Sequence, residues 1–239
     1  MKNIETILGF PVVNAENVFY VLADLGVKAW PLLEPPMTLD AYQARNLNAA
    51  QRKELDRFSP KIEVAVFQNP DHEPFASFRP RWHSNDGTHV FTLLPGDLLP
   101  VAAAFRHGAE VISLILPGGM LEKNDVSLAW RAKKEFEDET GIMLASVQPL
   151  TTEWDSGTPL SAQQMPMRSS GFLGKLRLPL VINSQKLEER EFLKIILIPL
   201  TDWLKLIYSG QVQEASPIVT TFLALHKLGR LDAKRNGRL

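Results

Sequence analysis

Cysteine is absent from the 239-residue sequence. This absence excludes disulfides, thiolate metal ligands and cysteine nucleophiles, and it argues against a small disulfide-stabilised secreted scaffold. Long apolar runs are also missing, since stretches such as 111–116 are far shorter than the roughly 18 residues that a membrane span needs. The N-terminal segment contains Glu5, Pro11 and Glu16 and lacks the pattern of a signal peptide. We therefore expect a soluble, cytoplasmic protein with no membrane partner.

An excess of charge of one sign is missing as well. The chain has 26 lysine and arginine residues and 27 aspartate and glutamate residues, which gives a formal net charge of -1. A balanced chain creates no overall field that attracts nucleic acid, so we expect no nucleic-acid partner. The sequence also lacks GxSxG, P-loop and GxGxxG patterns and paired-histidine spacings. These absences argue against a common serine hydrolase, a P-loop NTPase, a Rossmann enzyme and a zinc site.

What is present is the composition of a globular protein, with 45% apolar and 22% charged residues. Residues 1–60 are predicted to be a partly helical N-terminal extension, in which Thr38 or Asp40 caps one helix that continues to Phe58. Residues 61–239 are predicted to be one domain, because short apolar or alternating runs are separated there by turn-rich clusters. The mixed order of strands and helices predicts an α+β fold.

One unit of this domain carries the candidate chemistry, namely a strand, a glycine loop and a helix in succession. The strand VISLIL leads into Gly118 and Gly119, then into a polar loop, and then into a predicted helix over about 126–140 that ends at Gly141. Two adjacent glycines let a ligand or a metal ion approach main-chain oxygens closely. This unit is therefore the first candidate for a functional site.

The predicted helix carries three carboxylates at helical spacing. Glu135, Asp138 and Glu139 stand at positions i, i+3 and i+4, so we expect their side chains to project from one helix face and to meet. Like charges at this spacing repel by about a few tenths of a kcal/mol per pair, and a divalent cation reverses that repulsion. The alternative is a solvated acidic face on which Lys133 and Lys134 pair with the carboxylates.

The order of these residues resembles the Nudix box, GX5EX7REUXEEXGU. The matched positions are Gly119 for the first glycine, Glu135 for the glutamate of the RE pair, Phe136 for the apolar residue, Asp138 and Glu139 for the EE pair, Gly141 for the last glycine and Ile142 for the closing apolar residue. Lys134 stands at the arginine position, and the interval between Gly119 and Glu135 is one residue longer than in the pattern. Either Asp125 or Val126 therefore occupies the place of the early acid.

A looser resemblance covers most of residues 90–230 and is nearest to the Nudix pyrophosphatases of ADP-sugars and ADP-ribose. Arg106 matches an arginine that contacts substrate in that subgroup, and Ile115 stands where the subgroup has an acid. The resemblance implies a Nudix-type α/β/α sandwich with a mixed β-sheet. It also implies a metal-dependent hydrolase that cleaves the pyrophosphate bond of a nucleoside diphosphate linked to another moiety, most of all an ADP-sugar or ADP-ribose.

The same resemblance implies the residues of the site and the cofactor. Mg2+, or alternatively Mn2+, is expected to be bound by the carboxylates of Glu135, Asp138 and Glu139 and by the backbone carbonyl of Gly118. Glu135 and Glu139 are the catalytic candidates on the helix. A third catalytic carboxylate is expected from the loop KLEEREF, where Glu189 is our choice and Glu188 and Glu191 are the alternatives. Arg106 is expected to bind the substrate's phosphates through its planar guanidinium.

Three further expectations concern partners and alternatives. The subgroup resemblance implies a homodimer, which the apolar residues Val18, Phe19, Tyr20 and Trp30 of the extension would help to form. Trp130 and Trp203 are expected to pack in the core rather than to stack on a base. The rival function is a catalytically weakened Nudix-fold protein that binds a nucleotide-sugar without hydrolysing it, because the box arginine and the early acid are both altered.

Overall fold

The computed structural model describes residues 4–58, 61–68, 72–81, 86–106, 109–151, 158–161, 165–187 and 192–231. In this part of the chain the strands are β1 (Thr6–Ile7), β2 (Phe10–Pro11), β3 (Lys61–Gln68), β4 (Pro74–Arg81), β5 (Asp86–Phe91), β6 (Leu98–Arg106), β7 (Val111–Ile115), β8 (Leu144–Pro149), β9 (Thr158–Ser161), β10 (Met165–Leu176) and β11 (Leu193–Pro199). The helices are α1 (Val18–Asp24), α2 (Leu39–Gln43), α3 (Ala49–Phe58), α4 (Leu128–Thr140), α5 (Leu200–Tyr208) and α6 (Ala215–Lys227). None of these helices is both long enough and apolar enough to cross a membrane. The predicted α+β class is confirmed.

Strand pairing builds mixed sheet structure. One sheet has the order β11-β6-β7 and is antiparallel throughout. In a second sheet β10 lies between β5 and β8, and it runs parallel to β5 but antiparallel to β8 and β9. The remaining strands form two antiparallel pairs, β1 with β2 and β3 with β4. The mixed character predicted for the sheet is therefore confirmed.

Helices cover both faces of the strands, because successive side chains of a strand point to opposite sides. In β11, Ile196 and Ile198 belong to a core that includes residues of α1, α5 and α6, whereas Leu197 belongs to a core that includes residues of α4. Trp203 of α5 and Phe136 of α4 are the bulkiest fully buried side chains of these two cores. The layers are those of the expected α/β/α sandwich.

The first helix of the N-terminal extension packs into the core of the later chain. Val18 and Leu22 are fully buried in the same core as Trp203. Val12 forms a parallel β-bridge with Leu197 of β11. Residues 4–27 thus contribute to the packing of the sandwich, and the domain boundary near residue 60 stays a prediction.

The residues proposed for a dimer contact divide into two groups. Val18 is buried in the core of its own chain, so the expectation that it contributes to a dimer contact is wrong. Phe19, Tyr20 and Trp30 are exposed by 38%, 79% and 43%. The homodimer itself stays a prediction.

The single helix predicted from Thr38 or Asp40 to Phe58 is wrong, because the structure divides it into α2 and α3. Thr38 does cap the first helix, since its hydroxyl accepts the N–H of Ala41 at 3.2 Å. A second start then follows: the side chain of Asn48 accepts the N–H of Gln51, and the side chain of Gln51 accepts the N–H of Asn48, each at 2.9 Å. This reciprocal capping box starts a new helix where helical periodicity alone predicted a continuous one.

Candidate active site

Helix α4 is bounded by local signals in the sequence. The hydroxyl of Ser127 accepts the N–H of Trp130 at 3.1 Å and caps the first turn. Gly141, with a φ of 70°, adopts the left-handed conformation after the last turn, and its N–H donates to the carbonyl of Glu137 at 2.8 Å. The predicted helix and its glycine cap are confirmed.

The two sides of α4 differ in burial and in charge partners. The buried side presents Arg131, Ala132, Glu135, Phe136 and Glu139. The outer side presents Trp130, Lys133, Lys134, Glu137 and Asp138. The Nζ of Lys134 lies 2.8 Å from Oδ2 of Asp138, and this hydrogen bond raises the pKa of Lys134.

The three candidate carboxylates of α4 differ in their partners and in their burial. The shared face predicted from the i, i+3 and i+4 spacing stays a prediction for Asp138, whose side chain is 23% exposed. Lys134, one turn earlier, holds the Asp138 carboxylate on the outer side. Glu135 and Glu139 are 7% and 4% exposed and remain together on the inner side.

Both inner carboxylates face the glycine pair. The N–H of Gly118 donates to Oε2 of Glu139 at 2.9 Å. A Cβ at Gly119 would lie only 2.8 Å from Cγ and Cδ of Glu135, so only glycine admits this side chain at that distance. The carbonyl of Gly119 accepts the N–H of Thr88 at 2.9 Å, which fixes the loop against β5. The sequence thus places two buried carboxylates against one backbone turn.

Alanine substitutions at Gly118 and Gly119 should destabilise the protein to different extents, because the added Cβ meets backbone at one position and a side chain at the other. A Cβ at Gly118 would overlap the carbonyl of Thr88, which is backbone, whereas a Cβ at Gly119 would meet the side chain of Glu135. Overpacking costs about 1–3 kcal/mol, and we expect Gly118→Ala to lower the thermal midpoint in circular dichroism more than Gly119→Ala. The control is Gly87→Ala, where the nearest atom lies at 3.4 Å. Equal midpoints for the three variants would contradict this account.

Arg131 joins the site, and the sequence analysis missed it. It is only 6% exposed, and its Nη2 lies 2.8 Å from Oε1 of Glu135 and 3.3 Å from Oε1 of Glu122. Its Nε lies 3.6 Å from Oδ2 of Asp125, and Nε has no hydrogen-bond partner. The alignment with the Nudix box drew attention to Lys134, but the i,i+4 spacing of Arg131 and Glu135 was a readable signal.

Arg131 also contacts one of the two residues that are candidates for the early acid of the box. The side chain of Asp125 is 5% exposed and lies against Arg131. Val126 is 83% exposed. Of the two residues, Asp125 is thus the one that contacts Arg131, and this contact ties the loop before α4 to the helix. The assignment of the early acid stays a prediction.

The inner side of α4 offers oxygen ligands of the kind that Mg2+ binds. Of the two buried carboxylates, Glu139 stands against the backbone of Gly118 and Glu135 stands against Gly119. Among the residues that the structure describes, no group of three or more acidic or histidine side chains is arranged to hold a metal ion. The donor set thus fits in its chemistry, and a third carboxylate would have to come from Asp138 after it leaves Lys134 or from a residue outside the described ranges.

Glu188, Glu189 and Glu191 lie outside the described residues. The chain that leads to them is held along the end of α4: the N–H of Asn183 donates to the carbonyl of Gly141 at 2.8 Å, and the N–H of Lys186 donates to that of Asp138 at 2.8 Å. The side chain of Gln185 donates to the carbonyl of Glu139. The loop with the third catalytic candidate therefore starts beside the candidate site.

Arg106 is engaged elsewhere. Its Nε lies 2.9 Å from Oε1 of Glu214, which also accepts the hydroxyl of Ser113 at 2.8 Å. Arg106 pairs with Val111 at the start of β7, whereas Gly118 follows the other end of this five-residue strand. That strand spans roughly 16 Å, so the structure does not bring Arg106 to the two buried carboxylates. Its role as a substrate contact stays a prediction.

His89, on β5 beside the glycine loop, should make stability depend on pH. Its Nδ1 lies 3.2 Å from the carbonyl oxygen of Leu116, and desolvation by burial lowers the pKa of His89 below its ordinary value of 6.5. The unfolded chain then binds the proton more readily, so stability is full above about pH 6.5 and is lost as the pH falls below it.

We expect urea unfolding at pH 5–8 to show this loss of stability at acid pH. The wild-type free energy of unfolding should fall by up to about 1.4 kcal/mol per pH unit below pH 6.5, and His89→Gln should flatten this dependence. His226→Gln, at an exposed position in α6, is the control and should keep the wild-type slope. An unchanged slope in His89→Gln would contradict the assignment.

Comparison with known proteins supports the architecture. No model of a protein family matches the chain, and no curated protein sequence matches it. Among solved structures it is similar to a crystal structure described as an ADP compounds hydrolase, with a TM-score of 0.60 and 17% sequence identity, over 72% of this chain and 90% of that chain. The two chains share a fold. At this identity the likeness concerns the fold and leaves the chemistry to the site itself.

Proposed function

We propose that this protein is a metal-dependent, Nudix-type hydrolase that cleaves the pyrophosphate bond of a nucleoside diphosphate linked to another moiety, with an ADP-sugar or ADP-ribose as the favoured substrate. The observation that carries the proposal is the pair of buried carboxylates, Glu135 and Glu139, facing the Gly118–Gly119 turn. The fold shared with a hydrolase of ADP compounds supports it. A cytoplasmic homodimer is part of the same proposal.

The residues of the inner side have distinct tasks in this proposal. Glu135, Glu139 and the carbonyl of Gly118 would hold Mg2+ or Mn2+, and Asp138 would join them after leaving Lys134. The bound metal supplies neutralisation of the pyrophosphate's charge and a more acidic water. Arg131 orients Glu135 through a 2.8 Å contact, and the Gly118 N–H orients Glu139. Glu189 is the proposed further proton acceptor.

A second function is favoured by a specific observation, namely that each carboxylate of α4 already has a partner in the protein. Glu135 contacts Arg131, Asp138 contacts Lys134, and Glu139 accepts the N–H of Gly118. A protein that binds a nucleotide-sugar without cutting it needs no free carboxylates. Ligand binding without hydrolysis is the result that this alternative expects.

A substrate screen tests the two functions directly. We expect ADP-ribose or ADP-glucose to be cleaved to AMP in the presence of Mg2+ and to remain intact with a chelator. GDP-mannose and dinucleoside polyphosphates test the breadth of the substrate class. Cleavage without added metal would contradict the metal dependence. Binding of one compound with no cleavage of any would favour the non-hydrolysing protein.

A further inference from the structure

The outer side of α4 opens onto a groove of about 550 Å³. The described residues that line it are Trp130, Lys133, Lys134, Glu137, Asp138 and Lys186. Trp130 is 44% exposed, so the expectation that it packs in the core is wrong, although Trp203 is fully buried as expected. The groove therefore presents an accessible indole ring beside charged side chains.

Two chain segments build the groove. The helical residues recur at intervals of three and four, which places them on one side of α4. Lys186 comes from the extended segment that runs along the helix end, and its N–H donates to the carbonyl of Asp138 at 2.8 Å. Gln185, its neighbour, is anchored to the carbonyl of Glu139. The backbone of Lys186 is therefore held at the groove.

The charges of the groove are partly balanced. Lys133 lies 3.3 Å from Glu137, and Lys134 lies 2.8 Å from Asp138. These pairs leave the helix side of the groove neutral. Lys186 adds a third ammonium group to the lining, so the described side chains of the groove together carry one net positive charge. The described part of the lining therefore favours an anion over a cation.

We propose that this groove binds a nucleoside phosphate, with the base stacked on Trp130 and the phosphate oxygens between Lys134 and Lys186. The volume falls within the range of pockets that hold small organic ligands. An exposed indole ring stacks on bases, and lysine ammonium groups bind phosphate as point charges. The buried carboxylates Glu135 and Glu139 lie on the other side of α4. This second site shares only Asp138 with the site of the proposed hydrolysis, and Asp138 is paired with Lys134 here.

Calorimetric titration of the full chain with ADP, in the presence of a chelator, tests the proposal. Without divalent metal, hydrolysis at the inner side does not contribute to the heat. We expect Trp130→Leu and Lys186→Gln each to weaken ADP binding by about tenfold, the effect of losing one stacking contact or one charge-assisted hydrogen bond. Trp30→Leu and Lys205→Gln, at an exposed tryptophan and an exposed lysine, are the matched controls and should keep the wild-type Kd.

Four outcomes would overturn this second site. The first is no heat of binding up to millimolar ADP, and the second is an unchanged Kd in both groove variants. The third is a changed Kd in Glu139→Gln, because the ADP would then occupy the inner side. The fourth is equal binding of inorganic phosphate, because the indole would then have no role. Failure of the substrate screen leaves the experiment valid, since the titration requires no hydrolysis.

Discussion

Glu139→Gln is expected to reduce Mg2+-dependent hydrolysis by about 100-fold or more, while the protein keeps its fold. The carboxylate is 4% exposed and accepts the N–H of Gly118 at 2.9 Å. A glutamine keeps the shape and can still accept this hydrogen bond, but it lacks the negative charge that a metal ion needs. Steady-state kinetics of AMP release, measured beside the far-ultraviolet circular dichroism spectrum and thermal midpoint, checks both parts of the prediction.

The control for this variant removes a carboxylate that lies outside the candidate site. Glu110 is exposed in the turn between β6 and β7, and Glu110→Gln should keep wild-type activity. Raising the Mg2+ concentration separates weaker metal binding from slower chemistry. A high Mg2+ concentration restores activity that is lost through weaker binding, but it does not restore a slowed chemical step. Full activity of Glu139→Gln would show that the assignment of the site is wrong even if the chain is a hydrolase.

Arg131→Ala is expected to lower the free energy of unfolding by about 3 to 5 kcal/mol, the cost of leaving buried charges without their partner. Arg131 contacts Glu135, Glu122 and Asp125, and the side chains of Glu135 and Asp125 are 10% and 5% exposed. Loss of the guanidinium leaves these two carboxylates buried without the positive charge that balances them. For a chain of this length the midpoint should fall by roughly 10 °C. Urea and thermal unfolding measure the change.

A double-mutant cycle with Glu135→Gln distinguishes the ion pair from simple packing. The double variant should recover part of the lost stability, because the glutamine leaves no unpaired charge at that position. Arg131→Lys should be intermediate, since an ammonium group keeps the charge but not the planar donors. Arg45→Ala, which breaks an exposed pair with Glu34, should change stability little. Strict additivity in the cycle would show that the contact contributes nothing specific.

The helix of the candidate site could be predicted because its limits are local. Ser127 caps its start and Gly141 its end, and both signals lie within one turn of the helix they bound. The position of Glu135 and Glu139 on one side also follows from their i,i+4 spacing. The same spacing predicts that Asp138 lies beside them. It does not show that the carboxylate of Asp138 pairs with Lys134.

The parts that could not be predicted depend on partners that are distant in sequence or on competing local structure. Glu214, which holds Arg106, lies 108 residues further along the chain. The Asn48–Gln51 capping box starts a helix inside a stretch whose periodicity is continuous, so pattern alone joined α2 and α3. Arg131 stands outside the arginine position of the box, so the box pattern does not reveal it. Its i,i+4 spacing from Glu135 does, because residues at that spacing are neighbours on a helix.

The bridge between Val12 and Leu197 sets an order of events during synthesis. Val12 leaves the ribosome long before Leu197, its partner in β11. At about 5–20 residues per second the wait is roughly 10 to 40 s. During this interval Val18 and Leu22, which the finished core buries completely, have no core to enter. The nascent chain therefore exposes these apolar side chains until β11, α5 and α6 have been made.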